Sequence, residues 1–332
     1  MRCSDLGEDG VIELISKDEN SPENIIIGIG DDAAVIHPGN DQYTLISCHM
    51  LVEDSHFIRS KTTPYQVGYK GITKSVADIE AMGGTSLYLL VGLSLPPHTE
   101  LNFVDELYRG MEDANSKCSI HIIGGDMTDC RGPITISLTI MGEAAPDRII
   151  KRFGARPGDL VLVTGPLGGA AAGLHLVLNE VSIPDRKLAE SALLRQLQPE
   201  PPIGKGSALA ATGAVHAMTD ISDSLCRNLG KMCTFSHLGA TIHMDKIPID
   251  SIALDLARHT SLNAVDWALY GGEDFEMLAC VDPRYAKDVE KALGEIGSDC
   301  YFIGEITSEP GLKINENGAT RELTLKGFDH FG

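Results

Sequence analysis

Three short acidic motifs carry the chemistry most open to reading in this chain: Gly30-Asp31-Asp32, Gly124-Gly125-Asp126 and Asp220-Ile221-Ser222-Asp223. Each sets aspartates beside glycine or at the expected mouth of a helix. No lysine-bearing phosphate loop accompanies them. Gly165-Pro166-Leu167-Gly168-Gly169 lacks the Lys-Ser/Thr ending and reads as a strand-to-helix turn. Hard divalent cations prefer carboxylate oxygens, and Mg²⁺ commonly combines a few of them with substrate phosphates. The pattern points to a metal-dependent enzyme that handles a nucleotide polyphosphate.

Taken singly, each motif has a plainer reading. Asp31 and Asp32 fit a tight turn, because glycine and aspartate are both favoured there. Gly124-Gly125-Asp126 fits the end of a strand at Ile120 to Ile123. Ser222 or Asp223 fits the N-cap of a helix bearing Leu225 and Leu229, and a helix N-terminus also suits phosphates. Asp78 falls late in an expected helix, as a ligand or as part of a solvated face. Glu273 follows paired glycines in Tyr270-Gly271-Gly272-Glu273-Asp274-Phe275, where it would meet a cationic ligand or close an acidic turn. His56 alone is uninformative. The joint occurrence of these motifs, in this order, is the specific signal.

The elements that must position them follow from pattern. Ala33 to Ile36, Tyr43 to Cys48, Leu87 to Leu95, Ile120 to Ile123 and Ile134 to Met141 are short apolar or β-branched runs, most bounded by turn residues. Ile72, Val76 and Ile79 recur at helical steps within Gln66 to Met82, and Leu101 to Asn115 reads as a second helix. A basic, glycine-containing stretch, Arg148 to Gly158, precedes a new strand at Asp159 to Thr164. Further helices are expected at Lys187 to Leu197 and Pro283 to Ile296, and strands near Ala240 to His243, Glu276 to Val281 and Tyr301 to Ile303. The expected fold is α/β (α+β) in two domains, 1–147 and 148–332.

Composition sets outer limits. At 332 residues, two domains are the prior, and 43% hydrophobic residues fit a globular chain. A net charge of −20 argues against a nucleic-acid partner, which needs a basic footprint. The eight cysteines form no C-x-x-C pair and read as reduced thiols. No apolar run approaches the roughly 20 residues of a membrane helix. The first residues turn acidic at once, so the expectation is a cytoplasmic protein with no membrane partner.

In this order the motifs resemble thiamine-monophosphate kinase, a branch of the aminoimidazole-ribonucleotide synthetase superfamily. The likeness runs nearly end to end, through Leu6-Gly7-Glu8, Gly30-Asp31-Asp32-Ala33-Ala34-Val35, Leu51-Val52-Glu53 to His56-Phe57, and Asp78 to Gly83. It continues with Gly124-Gly125-Asp126, Arg152 with Gly154-Ala155, Val163-Thr164-Gly165, Asp220 to Asp223, Gly271 to Phe275 and Gly327-Phe328-Asp329-His330-Phe331. The resemblance implies phosphorylation of thiamine monophosphate to thiamine diphosphate, with ATP as co-substrate and several Mg²⁺ ions. It also implies a homodimer formed through an N-terminal sheet with helices on one face, and a larger C-terminal α/β domain. It makes Asp31, Asp78, Asp126, Asp220 and Asp223 metal ligands, with Ser47 beside them; Asp31, Asp126 and Asp220 are the catalytic core. Gly125, Asp126, Arg152 and Ser222 would meet ATP; His56, Glu273 and Phe328 would meet the thiamine substrate.

The chain departs from the family pattern at several points. His49, preceded by Cys48, stands where an aspartate ligand is usual, so Cys48 and His49 enter the candidate metal set. Imidazole suits Mn²⁺ or Zn²⁺ better than Mg²⁺. Ser224 replaces a usual glycine, Met127 a threonine, Ala77 a serine and Phe328 a tryptophan. The alternatives are a superfamily relative that uses ATP on another substrate, and a nucleotide-binding paralogue with weak or no catalysis.

Overall fold

The computed structural model describes residues 2–16, 22–179, 181–328 and 330. Two of the motif residues expected to matter, Asp329 and Phe331, lie outside the described residues. The first half runs α1 (Cys3–Ile15), β1 (Ile25–Ile27), β2 (Ala34–Ile36), β3 (Tyr43–Val52), α2 (Pro64–Ala81), β4 (Thr85–Leu95), α3 (Leu101–Cys118), β5 (His121–Asp129) and β6 (Thr135–Ala144). Its sheet has the order β1-β2-β3-β6-β4-β5, antiparallel except for the parallel pair β4 and β5.

One face of this sheet is covered and the other is bare. Alternation sends Leu45 and Leu51 of β3, Leu89 and Val91 of β4, and Ile136, Leu138 and Ile140 of β6 into a single core. Ile72, Val76 and Ile79, the expected helix stripe, complete it from α2. Helices α2 and α3 lie close because glycine faces backbone on both sides. A Cβ at Gly68 would sit 2.1 Å from the Leu107 carbonyl oxygen, and one at Gly110 would sit 1.9 Å from that of Tyr65. On the opposite face Met50, Tyr88, Leu90 and Ile123 are exposed.

The second half runs β7 (Leu160–Val163), α4 (Gly169–Leu178), α5 (Arg186–Leu197), α6 (Lys205–Ala211), β8 (Val215–Asp220), α7 (Leu225–Ser236), β9 (Gly239–His243), α8 (Ser251–Thr260), α9 (Ala264–Tyr270), β10 (Met277–Val281), α10 (Ala286–Glu295), β11 (Tyr301–Thr307), β12 (Gly311–Glu316) and β13 (Ala319–Glu322). The sheet order is β13-β12-β9-β11-β7-β10-β8. Both faces are covered: Val161 and Val163 join a core with α7 and α9, while Leu162 joins one with α6 and α10. This explains why β7 and β10 read as unbroken apolar runs.

The halves meet at the end of α2. Glu80 is buried and accepts from the backbone N–H groups of Gly204 (2.7 Å), Gly206 (2.9 Å) and Ser207 (3.1 Å) at the start of α6. Burial pushes its carboxyl up to about 7, with the three N–H groups and Lys205 pulling the other way. Glu80 thus caps the start of α6 across the two halves. No helix among the described residues is long and apolar enough to cross a membrane.

Two local expectations are corrected. Gly124-Gly125-Asp126 does not end its strand; β5 continues to Asp129, because pairing with β4 carries the backbone on. A Cβ at Gly125 would lie 1.8 Å from the Val91 carbonyl oxygen, so this glycine admits the neighbouring strand. The N-cap of α7 is Ser224, whose hydroxyl accepts from Arg227 N at 3.0 Å, and neither Ser222 nor Asp223.

Gly110→Ala is expected to destabilise the protein by about 1–3 kcal/mol, since α2 and α3 must separate to admit a methyl group. Thermal or urea denaturation checks this; an unchanged midpoint would mean the helices part at no cost.

Candidate active site

Helix α2 delivers the first carboxylate. Its start is fixed by Thr63, whose hydroxyl accepts from Gln66 N at 3.3 Å while the Gln66 side chain accepts from Thr63 N at 3.0 Å. Four turns later Asp78 emerges against β3. Its Oδ2 accepts from the Ser47 hydroxyl and lies 2.8 Å from His49 Nε2. Burial raises the Asp78 carboxyl, but His49 and Ser47 outweigh it and leave the group below the usual carboxylate value.

Gly30, at φ +120°, turns the chain so that Asp31 and Asp32 face the second half. Asp31 accepts from Arg152 N at 3.1 and 3.2 Å. Its carboxyl is pushed up to about 6 by burial and then by the charge of Asp32. Asp32 pairs with the Arg152 guanidinium and accepts from Thr219 Oγ1 at 3.1 Å; burial still raises it. Asp220, at the end of β8, is 2% exposed and accepts from Ser222 Oγ at 3.0 Å. Burial, then the charges of Asp78 and Asp32, hold it well above the usual value.

Asp32, Asp78 and Asp220 thus form one electrostatic group drawn from three separate stretches of chain, with Asp31 alongside. The Oδ2 atoms of Asp32 and Asp220 are buried with no hydrogen-bond partner. Buried carboxylate oxygens left open in this way fit a cation. Among the described residues, no three His, Cys, Asp or Glu groups converge into a cage for an ion.

The remaining candidates divide. Cys48 is corrected: alternation turns it to the bare face, 3.6 Å from Thr139 Oγ1 and 3.7 Å from Ser137 Oγ, away from Asp78. Asp126 and Gly125 are exposed on β5, the edge strand. Asp126 is registered with Gly92, which aligns with Ser137 and then Met50. Three strand spacings separate it from β3, roughly 14 Å, so within one chain it stands apart from the carboxylate group. Asp223 Oδ2 is engaged by Lys231 at 3.1 Å and Arg227 at 3.5 Å, cations that also reach Asp9 of α1.

Glu273, His56 and Phe328 line one cavity of about 240 Å³. Glu273 stands at φ +65°, an uncommon conformation for a non-glycine residue that is associated with functional sites. It accepts from Lys70 Nζ and Gln196 Nε2, both at 2.6 Å. Burial raises its carboxyl, but Lys70 and Gln196 hold it below the usual value. Burial, then the charge of Lys74, lowers the His56 imidazole to about 4, and its Nδ1 accepts from Val52 N at 3.1 Å. The His330 ring links His56 (5.0 Å) and Phe328 (4.7 Å). A second cavity of about 590 Å³ is bounded by Gly30, Arg152, Arg227, Lys231 and Asp9.

Models of the AIR synthase related protein match here, the N-terminal domain over residues 30–144 and the C-terminal domain over 156–316. Thiamine-monophosphate kinase of Escherichia coli K12 is 34% identical over 313 residues, 93% of each chain. The chain belongs to the thiamine-monophosphate kinase family. The same enzyme from Mycobacterium tuberculosis H37Rv is 36% identical over 83% of this chain and 80% of that one. The solved complex of AaThiL with AMPPCP and TMP superposes with a TM-score of 0.86 at 30% identity, covering 99% of both chains.

Sequence reasoning did not select Lys70, Lys74 or Gln196, and it chose Asp31 over its neighbour Asp32 as the site residue. The available signal was the spacing of Lys70, Lys74 and Asp78, one turn apart on one helix face. His49→Asp is expected to tighten Mg²⁺ binding, because an oxygen ligand replaces a nitrogen beside Asp78. Calorimetric titration with Mg²⁺ and Mn²⁺ reads this out; equal or weaker Mg²⁺ binding would mean that His49 is part of a working site.

Proposed function

We propose that this chain transfers the γ-phosphoryl group of ATP to thiamine monophosphate, yielding thiamine diphosphate and ADP. The observation that carries the reading is the buried carboxylate group adjoining two cavities, in a chain that follows the AaThiL complex over 99% of its length. The larger cavity, with Arg152 and Lys231 in its wall, suits a polyphosphate. The smaller suits thiamine: Glu273 answers the thiazolium charge, Phe328 offers a ring to stack on, and His56 stays neutral near pH 7.

The step is a direct displacement. An oxygen of the acceptor phosphate forms the new bond to the γ-phosphorus as the bond to the ADP oxygen breaks, and ADP keeps the electron pair. The nucleophile is already ionised, so no general base is required; catalysis rests on alignment and charge neutralisation. Mg²⁺, when bound, supplies that neutralisation. Asp31, Asp78 and Asp220 would hold it, with Ser47 and His49 beside Asp78 and the open oxygen of Asp32 facing inward. Arg152, fixed by Asp32, directs its remaining N–H groups toward the nucleotide, and Ser222 orients Asp220.

Incubation with thiamine monophosphate and ATP, with Mg²⁺ and Mn²⁺ in parallel, tests the reading by chromatography of thiamine diphosphate. Turnover is expected with at least one metal, and Asp126→Ala is expected to abolish it. No product despite ATP binding would favour a nucleotide-binding paralogue, the reading that His49 beside Asp78 supports.

The bare sheet face is read as the seat of a second copy of the chain. Its apolar residues Met50, Tyr88, Leu90 and Ile123 would be covered. Asp126, remote from its own carboxylate group, would approach the nucleotide of the partner subunit. Light scattering at micromolar protein is expected to give twice the mass of the chain; a monomer would overturn this.

A further inference from the structure

Lys74 occupies a position that none of the motifs explains. It follows Lys70 by one turn of α2 and precedes Asp78 by one turn, and both lysines line the cavity with Glu273, His56 and Phe328. The two cations have different surroundings. Lys70 is neutralised by Glu273 at 2.6 Å. Lys74 is partly buried, and among the described residues it makes no hydrogen bond or ion pair. The carboxylates nearest to it are engaged elsewhere: Glu273 with Lys70 and Gln196, Asp78 with Ser47 and His49. The wall also holds His56, an uncharged ring, and Asp54, an exposed carboxylate that forms no ion pair with Lys74 among the described residues.

Lys74 feels the charges of Asp78 and Glu273 but forms no direct ion pair with either, so its partly desolvated ammonium has room for an anion. The cavity is otherwise built for a cationic ring at the Glu273 and Phe328 end. A ligand with an anion at its other end would satisfy both. One turn of helix, about 5.4 Å, separates Lys74 from Asp78, the distance over which a phosphate could touch the lysine and still reach the carboxylate group.

We propose that Lys74 anchors the phosphate of the acceptor, holding the phosphomonoester of thiamine monophosphate beside Asp78 and selecting it over unphosphorylated thiamine. The assignment rests on the reading of the smaller cavity as the thiamine site. Lys70 serves a different end: it orients Glu273 and leaves that carboxylate ionised for the ring.

Calorimetric binding of thiamine monophosphate and of thiamine to wild type, Lys74→Gln, Lys74→Arg and Lys70→Gln tests the assignment, with circular dichroism to confirm folding. Lys74→Gln is expected to weaken thiamine monophosphate tenfold or more and thiamine less than twofold, and to leave ATP affinity unchanged. Lys74→Arg is expected to recover most of the loss, since the charge returns. Lys70→Gln is expected to weaken both compounds alike. If Lys74→Gln binds both compounds as wild type does, or loses both equally, Lys74 is not the phosphate anchor. If wild type binds neither compound, the thiamine reading of the cavity fails, and this assignment fails with it.

Discussion

Like charges buried together are the constraint around which the site is built. Asp32, Asp78 and Asp220 sit in one desolvated group, and Arg152 is the cation paired with Asp32 within it. Carboxylates taken out of water must be protonated, paired or coordinated. Here the solutions are divided. Asp32 takes the guanidinium, Asp78 takes the His49 imidazole, and Asp220 is left with a raised proton affinity and an open oxygen. The folded shape thus leaves carboxylate oxygens out of water with no partner among the described residues.

That group exists only because both halves contribute. Asp31, Asp32 and Asp78 come from the first half, Thr219 and Asp220 from the second, and Arg152 from the segment between the sheets. Acidic side chains hold helix starts, across the interface at α6 and within the second half at α4. Glu80 accepts the free N–H groups of α6. Asp274 does the same for α4 through Gly168 N (2.9 Å) and Ala170 N (3.2 Å), while burial pushes its carboxyl up to about 7. Two acidic residues of family motifs are therefore joints of the scaffold, while of their neighbours Asp78 joins the carboxylate group and Glu273 lines the cavity.

The period of a strand assigns the two duties of β3. Ser47 and His49 turn toward α2 and meet Asp78; Cys48 and Met50 turn to the bare face. One ten-residue strand thus serves the carboxylate group on one side and an apolar surface on the other. A one-residue slip would exchange the two sets, which ties the register of β3 on β6 to the site itself.

Much of this was legible in the residues. Periodicity located α2, α3 and α10 and the strands β3, β4, β6, β7 and β10, because apolar spacing reports which side faces a core. The edge strands β1 and β13, β8 with its polar His216, Thr219 and Asp220, and the short helices α6 and α9 gave too little pattern. The motifs, with their likeness to a known family, named the acidic residues and the thiamine contacts. Sequence could not say that Glu80 and Asp274 cap helices, that Cys48 faces away, that Asp126 lies about three strands from its expected companions, or that Lys74 forms no ion pair among the described residues. Residue types fix what chemistry a side chain can do. Which side chains share a desolvated space depends on contacts between residues distant in sequence, up to 187 positions apart for Asp32 and Thr219, and only the packed halves decide that.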